Sequence, residues 1–220
     1  GYNVTNTHVP ETVIVSGEKT WNDDNNRDGI RPESITVNLL ANGTVVDTKT
    51  VTAADGWAWT FEDLHKYENG EEIVYTITEN PVDGYETVVD GYNVTNTHVP
   101  ETVIVSGEKT WNDDDNRDGI RPESITINLL VNGDIVDTKT VTADDGWAWS
   151  FSELPKFKNV NGEGVEIAYS ISEDAVVGYS VSVNGYDVTN SHTPEIVSVE
   201  GRKIWNDAND QDGKRPESIT

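Results

Sequence analysis

The chain repeats itself, and this constrains its fold more than any other feature. Residues 1–50 and 91–140 differ only at Asn25/Asp115, Val37/Ile127, Ala41/Val131, Thr44/Asp134 and Val45/Ile135. The block Gly17-Glu-Lys-Thr-Trp-Asn-Asp23 returns at Gly107–Asp113 and, diverged, as Gly201-Arg-Lys-Ile-Trp-Asn-Asp207. Lys19, Lys109 and Lys203 set spacings of 90 and 94 residues, and the four extra residues fall near Lys158–Gly164, a Gly- and Asn-rich stretch read as a loop. A unit of this length is a whole domain, because solenoid and propeller repeats run about 20–50 residues. The phase follows from Gly1–His8, which returns as Gly91–His98 and Gly185–His192. The sequence therefore reads as the last strand of an upstream repeat (1–8), a repeat at 9–98, a second at 99–192, and the start of a third (193–220). The end pieces are too short to bury a core alone. The stretch between Asn96 and Lys109 contains Pro100 and a strand-like run at Thr102–Val105. That is too short for a flexible linker, so neighbouring repeats are expected end to end with restricted motion.

Within a repeat the apolar residues recur with period two rather than 3.6. Ser34–Leu40 and Thr44–Thr50 flank Ala41-Asn42-Gly43, and Asn-Gly between alternating runs is a strong hairpin signal. Trp57, Trp59 and Phe61 alternate with small or polar residues, as do Ile73, Tyr75 and Ile77. One short helical turn is expected at Glu62–Lys66. About seven strands in a unit of this size predict an all-β fold, with tandem immunoglobulin-like sandwiches arranged end to end.

Charge and missing residue types narrow the function. With 40 acidic against 15 basic residues the net charge is −25, which excludes a nucleic-acid binder and docking on an anionic membrane. No apolar run approaches the length of a membrane helix, so membrane insertion is not expected. Cysteine is absent, which removes disulfides, thiolate metal sites and cysteine nucleophiles. Methionine is also absent, so the sequence reads as an excerpt of a longer protein.

Strand parity exposes an anomaly. Val13, Val15, Gly17, Lys19 and Trp21 share one face of the first strand. Ile73, Tyr75, Ile77 and Glu79 share a face of a later strand, and Tyr92, Val94, Asn96 and His98 a face of the last. Each apolar face thus carries one polar residue: Lys19, Glu79 and Asn96, repeated as Lys109, Glu173 and Asn190. Burying an ammonium or a carboxylate is costly unless it is paired or neutralised.

At these residues the sequence resembles a known family. Glu18-Lys19-Thr-Trp21-Asn-Asp23, Asp28-Gly-Ile-Arg31-Pro32-Glu-Ser-Ile35, Tyr75-Thr-Ile-Thr-Glu79, Gly84-Tyr85 and Val94-Thr-Asn96-Thr-His98 together look like the Cna protein B-type domain. This is a stalk repeat of Gram-positive surface adhesins, also used in pilins. The resemblance spans essentially the whole chain. It implies an inverted immunoglobulin-like sandwich. It also implies a spontaneous Lys–Asn isopeptide bond assisted by Glu, as in many members of the family. Carried over by position, the cross-links are Lys19–Asn96 with Glu79 and Lys109–Asn190 with Glu173. Burial favours the neutral amine and the protonated carboxyl that the reaction needs. The protein would then act once on itself and would not be an enzyme in the ordinary sense, and no cofactor is implied.

Other features carry less. Asp24-Asn25-Asn26-Arg27-Asp28-Gly29 and Asp114–Gly119 match the opening of a calcium loop, but Ile35 stands where the closing bidentate Glu belongs. They read as solvated turns, with no metal site. Trp57 and Trp59 read as core rather than as a sugar-stacking platform. His8, His65, His98 and His192 show no metal spacing. The functional expectation is a structural stalk of an extracellular adhesin, cell-wall anchored through parts of its parent absent here. Its partners would be neighbouring repeats of the same chain, and the distal host or bacterial ligand is unidentified. The alternatives are a ligand-binding adhesive module and a pilus-shaft subunit.

Overall fold

The computed structural model describes residues 1–220. In the first copy the strands are β1 (Thr12–Asn22), β2 (Ser34–Ala41), β3 (Thr44–Thr52), β4 (Ala58–His65), β5 (Tyr67–Glu68), β6 (Glu71–Glu72), β7 (Tyr75–Glu79), β8 (Glu86–Asp90) and β9 (Asn93–Thr97). The second copy repeats them as β10 (Thr102–Asn112), β11 (Ser124–Val131), β12 (Asp134–Thr142), β13 (Ala148–Pro155), β14 (Phe157–Val160), β15 (Glu163–Glu166), β16 (Tyr169–Glu173), β17 (Ser180–Asn184) and β18 (Asp187–Ser191).

Each copy is a two-layer sandwich. One sheet has the order β4-β1-β9-β8 and the other β3-β2-β7, with β5-β6 a separate hairpin; the second copy reproduces this arrangement. Period two places Val15, Trp59, Phe61 and Val94 of the first sheet against Ile35, Val37, Leu39, Val51 and Ile77 of the second. Burying each such side chain contributes about 1.5–3 kcal/mol, which makes this face the main source of stability. Trp59 and Phe61 lie in this core, as the alternation predicts. The first and last strands are neighbours, and β1·β9 is a parallel pair, with Lys19 opposite Val94 and Trp21 opposite Asn96. A parallel pair cannot be closed by a tight turn. Here the rest of the domain forms the connection.

Two local expectations need correction. Glu62–Lys66 holds no helical turn: Glu62–His65 belongs to β4. The register against β1 slips between Val13↔Leu64 and Val15↔Phe61, and Asp63 has φ 55°. The apolar spacing Phe61–Leu64 imitates a helix because a β-bulge inserts an extra residue there. The only helical turn in that copy is the 3₁₀ turn Ala53–Asp55, where Asp55 caps Thr52. Likewise, the four extra residues of the second copy form no loop. They lengthen each strand of a hairpin by two residues, from Tyr67–Glu68/Glu71–Glu72 to Phe157–Val160/Glu163–Glu166. The end pieces 1–11 and 193–220 contain no strand, so Gly1–His8, expected as the last strand of an upstream repeat, belongs to no sheet in this structure.

The copies touch directly. The hairpin β14–β15 rests on the 23–29 loop of the first copy, where Asn159 Nδ2 donates to the Asn26 carbonyl at 2.6 Å. The connecting segment is held by Asp28, which accepts the Glu101 N–H at 2.7 Å.

Candidate functional site

Three strands bring the inward polar residues of the first copy together. On β1 the alternation that buries Val15 also buries Lys19, and on β9 it buries Val94 and Asn96. Asn96 is two positions past the residue facing Lys19 on the parallel neighbour. That is about 6.6 Å along and 4.8 Å across, a span a lysine side chain covers. From the facing sheet β7 supplies Glu79, whose Oε1 lies 2.6 Å from Lys19 Nζ, and neither side chain is exposed at all. Burial is the largest influence on Lys19 and depresses its pKa, while the hydrogen bond and charge of Glu79 oppose that shift without cancelling it. The Asn96 side chain has no hydrogen-bond partner at either Oδ1 or Nδ2. A buried amide in that condition costs about 1–3 kcal/mol and calls for an explanation.

Aromatic rings wall the site. Lys19 Nζ is 4.6 Å from the Trp21 ring centre. Trp21 in turn meets Trp57 and Tyr85 edge-on at 5.2 and 5.0 Å. On the other side Thr87, opposite Asn96 on β8, donates its hydroxyl to Glu79 Oε2 at 3.1 Å.

The second copy places Lys109, Glu173 and Asn190 equivalently. Lys109 Nζ lies 2.9 Å from Glu173 Oε1, but neither group has a hydrogen bond of good alignment, and the Asn190 amide is again without a partner. Burial again lowers the Lys109 pKa most, opposed by Glu173. The sites also differ at the position of Thr87, where Val181 faces Asn190 and offers no hydroxyl.

Residues 15–97, 105–191 and 199–220 match the family model described as Cna protein B-type domain. The chain belongs to the Cna B-type family. It is 34% identical to a collagen adhesin of Staphylococcus aureus, over 98% of this chain and 26% of the adhesin. The chain thus spans about a quarter of that relative's length. The crystal structure of two B repeat units of the collagen binding protein of Staphylococcus aureus shares 38% identity and a TM-score of 0.74, covering 93% of this chain and 56% of that one. A single B repeat unit of the same protein shares 36% identity with a TM-score of 0.40, over 84% of this chain and all of that one.

The B-type repeats carry a second polar cluster next to the first. Asp23 is buried at the end of β1 and accepts from Arg31 Nε at 2.9 Å, Arg31 Nη2 at 2.6 Å, Tyr85 hydroxyl at 2.9 Å and the Asn26 N–H at 2.9 Å. Burial alone would raise its pKa, but the Arg31 bond, the Asn26 N–H and the Tyr85 hydroxyl together hold it below the ordinary value. The loop this cluster braces is the one with a calcium-like opening. Several of its oxygens meet protein donors: Asp24 pairs with Arg27, Asn26 Oδ1 accepts the Arg31 N–H, and Asp28 Oδ2 faces His98 and Glu101. Asp24, Asn25 and Asn26 all have positive φ. Three left-handed residues in succession are unfavourable by about 1 kcal/mol or more each, so the bonds of Asp23 and Asn26 are what hold the turn. Sequence reasoning named Arg31 and Tyr85 only as part of a family pattern and missed Thr87. Nothing in the linear alternation indicates which β8 residue reaches across to the other sheet.

Proposed function

We propose that the chain comprises two complete repeats, 9–98 and 99–192, between pieces of two others, and that each complete repeat closes one isopeptide bond. The bonds are Lys19–Asn96 and Lys109–Asn190, assisted by Glu79 and Glu173. The observation that carries this reading is a fully buried Lys–Glu contact between the sheets, with an unpartnered buried Asn carboxamide on the strand beside the Lys. A proton passes from the ammonium to the carboxylate, leaving a neutral amine and a carboxylic acid that polarises the Asn carbonyl. Nζ attacks Cγ and the new C–N bond forms. The Glu carboxyl relays a proton from the attacking nitrogen to the departing one. Cγ–Nδ2 then breaks and ammonia leaves, while Glu keeps, as a carboxylic acid, the proton it took from the ammonium at the outset. Preorganisation by the fold supplies what a catalyst would otherwise provide, worth up to about 7–11 kcal/mol. The reaction runs once per copy, so the repeats are structural rather than catalytic.

The product suits a stalk. Near-identical copies add length, and covalent closure of each copy resists pulling and proteolysis. We assign the chain to the spacer of a cell-surface adhesin, outside the cell, with its distal ligand bound by other parts of the parent. Intact mass tests the chemistry. Each bond removes one ammonia, about 17 Da as a covalent modification. The parent chain is expected to lack two ammonias, and Glu79→Ala and Glu173→Ala one each. A parent at full calculated mass would overturn the cross-links.

A further inference from the structure

The two copies provide an internal control for a surface that the cross-links do not use. Loops 23–31 and 113–121 are identical apart from Asn25/Asp115, and both fold into the same left-handed turn. Their surroundings differ. The side chains of Arg27 and Asp28 are 23% and 3% exposed, while those of Arg117 and Asp118 are 47% and 21% exposed.

The covering element is the hairpin β14–β15 of the following copy. Asn159 donates to the Asn26 carbonyl, and the backbones of Gly29 and Gly164 pack without room for a side chain. A Cβ on Gly164 would fall 2.0 Å from the Asp28 carbonyl oxygen, and one on Gly29 would fall 1.8 Å from the Gly164 nitrogen. Gly164 has no left-handed φ, so close approach is what demands glycine there. Asn159 and Gly164 face each other across the hairpin, in the part by which it outgrows its first-copy counterpart. Two residues per strand extend the reach by about 7 Å. The shorter hairpin Tyr67–Glu72 of the first copy leaves an open hollow lined by His8, Pro10, Glu11, Tyr67 and Gly70. Behind the second copy, the entering segment already follows the same path: Asp118 accepts the Glu195 N–H at 2.8 Å and Arg117 Nη2 donates to the Glu195 carbonyl at 3.2 Å.

We propose that the Asn-Arg-Asp-Gly loop of a repeat is a seat for the hairpin of the repeat that follows, filled where that hairpin is long. The loop at Asp114–Gly119 is the same seat, and its occupant is the corresponding hairpin of a following copy. Hairpin length then sets how firmly a repeat is held to its predecessor. A long hairpin fixes the joint, and a short one leaves it free.

The cysteine-free chain allows a direct test. Spin labels on Thr48→Cys and Thr138→Cys, both exposed, report the distance between the copies in the full chain. The parent is expected to give one narrow distance distribution. Deleting Asn159, Val160, Glu163 and Gly164 restores the first-copy hairpin length while keeping the Asn161-Gly162 turn. It is expected to broaden the distribution about twofold or more, the ordinary freedom of domains without a clamped interface. Gly164→Val is expected to shift the mean by wedging the joint, and Asn159→Ala, at an exposed position that cannot threaten folding, to broaden it less. Near-ultraviolet circular dichroism of the tryptophans checks that both sandwiches persist. Unchanged distributions in Asn159→Ala and in whichever of the other two variants keeps that spectrum would overturn the proposal, as would a parent distribution already as broad as that of the deletion.

Discussion

Thr87 and Val181 make the two candidate sites unequal. Thr87 fixes one oxygen of Glu79 while the other meets Lys19; Glu173 has no such support, and its contact with Lys109 is longer. Orientation of an assisting group governs rate strongly. The first copy is therefore expected to close faster than the second. Thr87→Val should slow the first site by about tenfold, the worth of one hydrogen bond of about 1.4 kcal/mol, and Val181→Thr should speed the second. Cell-free synthesis followed by mass analysis of copy-specific peptides reads both rates, and equal rates in all four combinations would remove Thr87 from the account. A second expectation concerns Asp23 and Asp113. For Asp113 the Arg121 hydrogen bonds are the largest cause of a pKa held well below the ordinary 3.8. A carboxyl depressed in the folded state contributes stability that is complete above its unfolded value and is lost as pH falls through its folded one. Urea midpoints measured from about pH 5 to pH 2 should therefore fall less steeply for Asp113→Asn than for the parent. Lys19, Glu79 and Asn96 were legible in the sequence because period two assigns a face to every residue of a regular strand. Thr87 was not, because alternation gives the face but not what lies opposite across the core.

At the scale of single elements, β1 does the most. It pairs antiparallel with β4 through Thr12–Glu18 and parallel with β9 through Lys19–Asn22. Gly17 sits just before the change of partner. A Cβ there would fall 1.7 Å from the Tyr92 carbonyl oxygen, immediately ahead of β9. Gly17→Ala is expected to push β9 away from β1, costing about 1–3 kcal/mol as overpacking does. It should also impair closure at Lys19–Asn96 while leaving Lys109–Asn190 intact. Copy-resolved peptide mass and thermal melting check this, and an unaffected first copy would show that β9 adapts freely. Strands and tight turns were the legible elements, since Asn42-Gly43 and strict alternation announce them locally. The bulge at Asp63 and the long hairpin were not. A bulge turns a period of two into an apparent three, and the Gly and Asn residues of Lys158–Gly164 look like a loop until the register Phe157↔Glu166 is seen.

For the molecule as a whole, the chain enters each sandwich on β1 and leaves on its parallel neighbour β9, so pulling the ends shears that pair. A bond from Lys19 to Asn96 would carry the load straight across and leave the 20–95 segment slack. Closing a loop of that size also contributes about 4–5 kcal/mol in the chain-entropy view. Stretching single molecules is expected to show no unfolding step in the parent. The Glu79→Ala, Glu173→Ala double variant is expected to release about 300 Å per copy at up to roughly 3.5 Å per residue. Unfolding steps of that size in the parent would remove the mechanical role. The duplication has a further consequence for how such a chain is made. β1 and β10 have the same sequence, so each strand fits the other's place in the neighbouring sandwich. Tandem copies this alike are prone to exchange strands as they fold. Because domains emerge from the ribosome in order, a first copy that seals itself covalently before the second is complete withdraws its own strands from that exchange. In an array of near-identical repeats, the bond would then serve as a record of correct pairing before any force is applied.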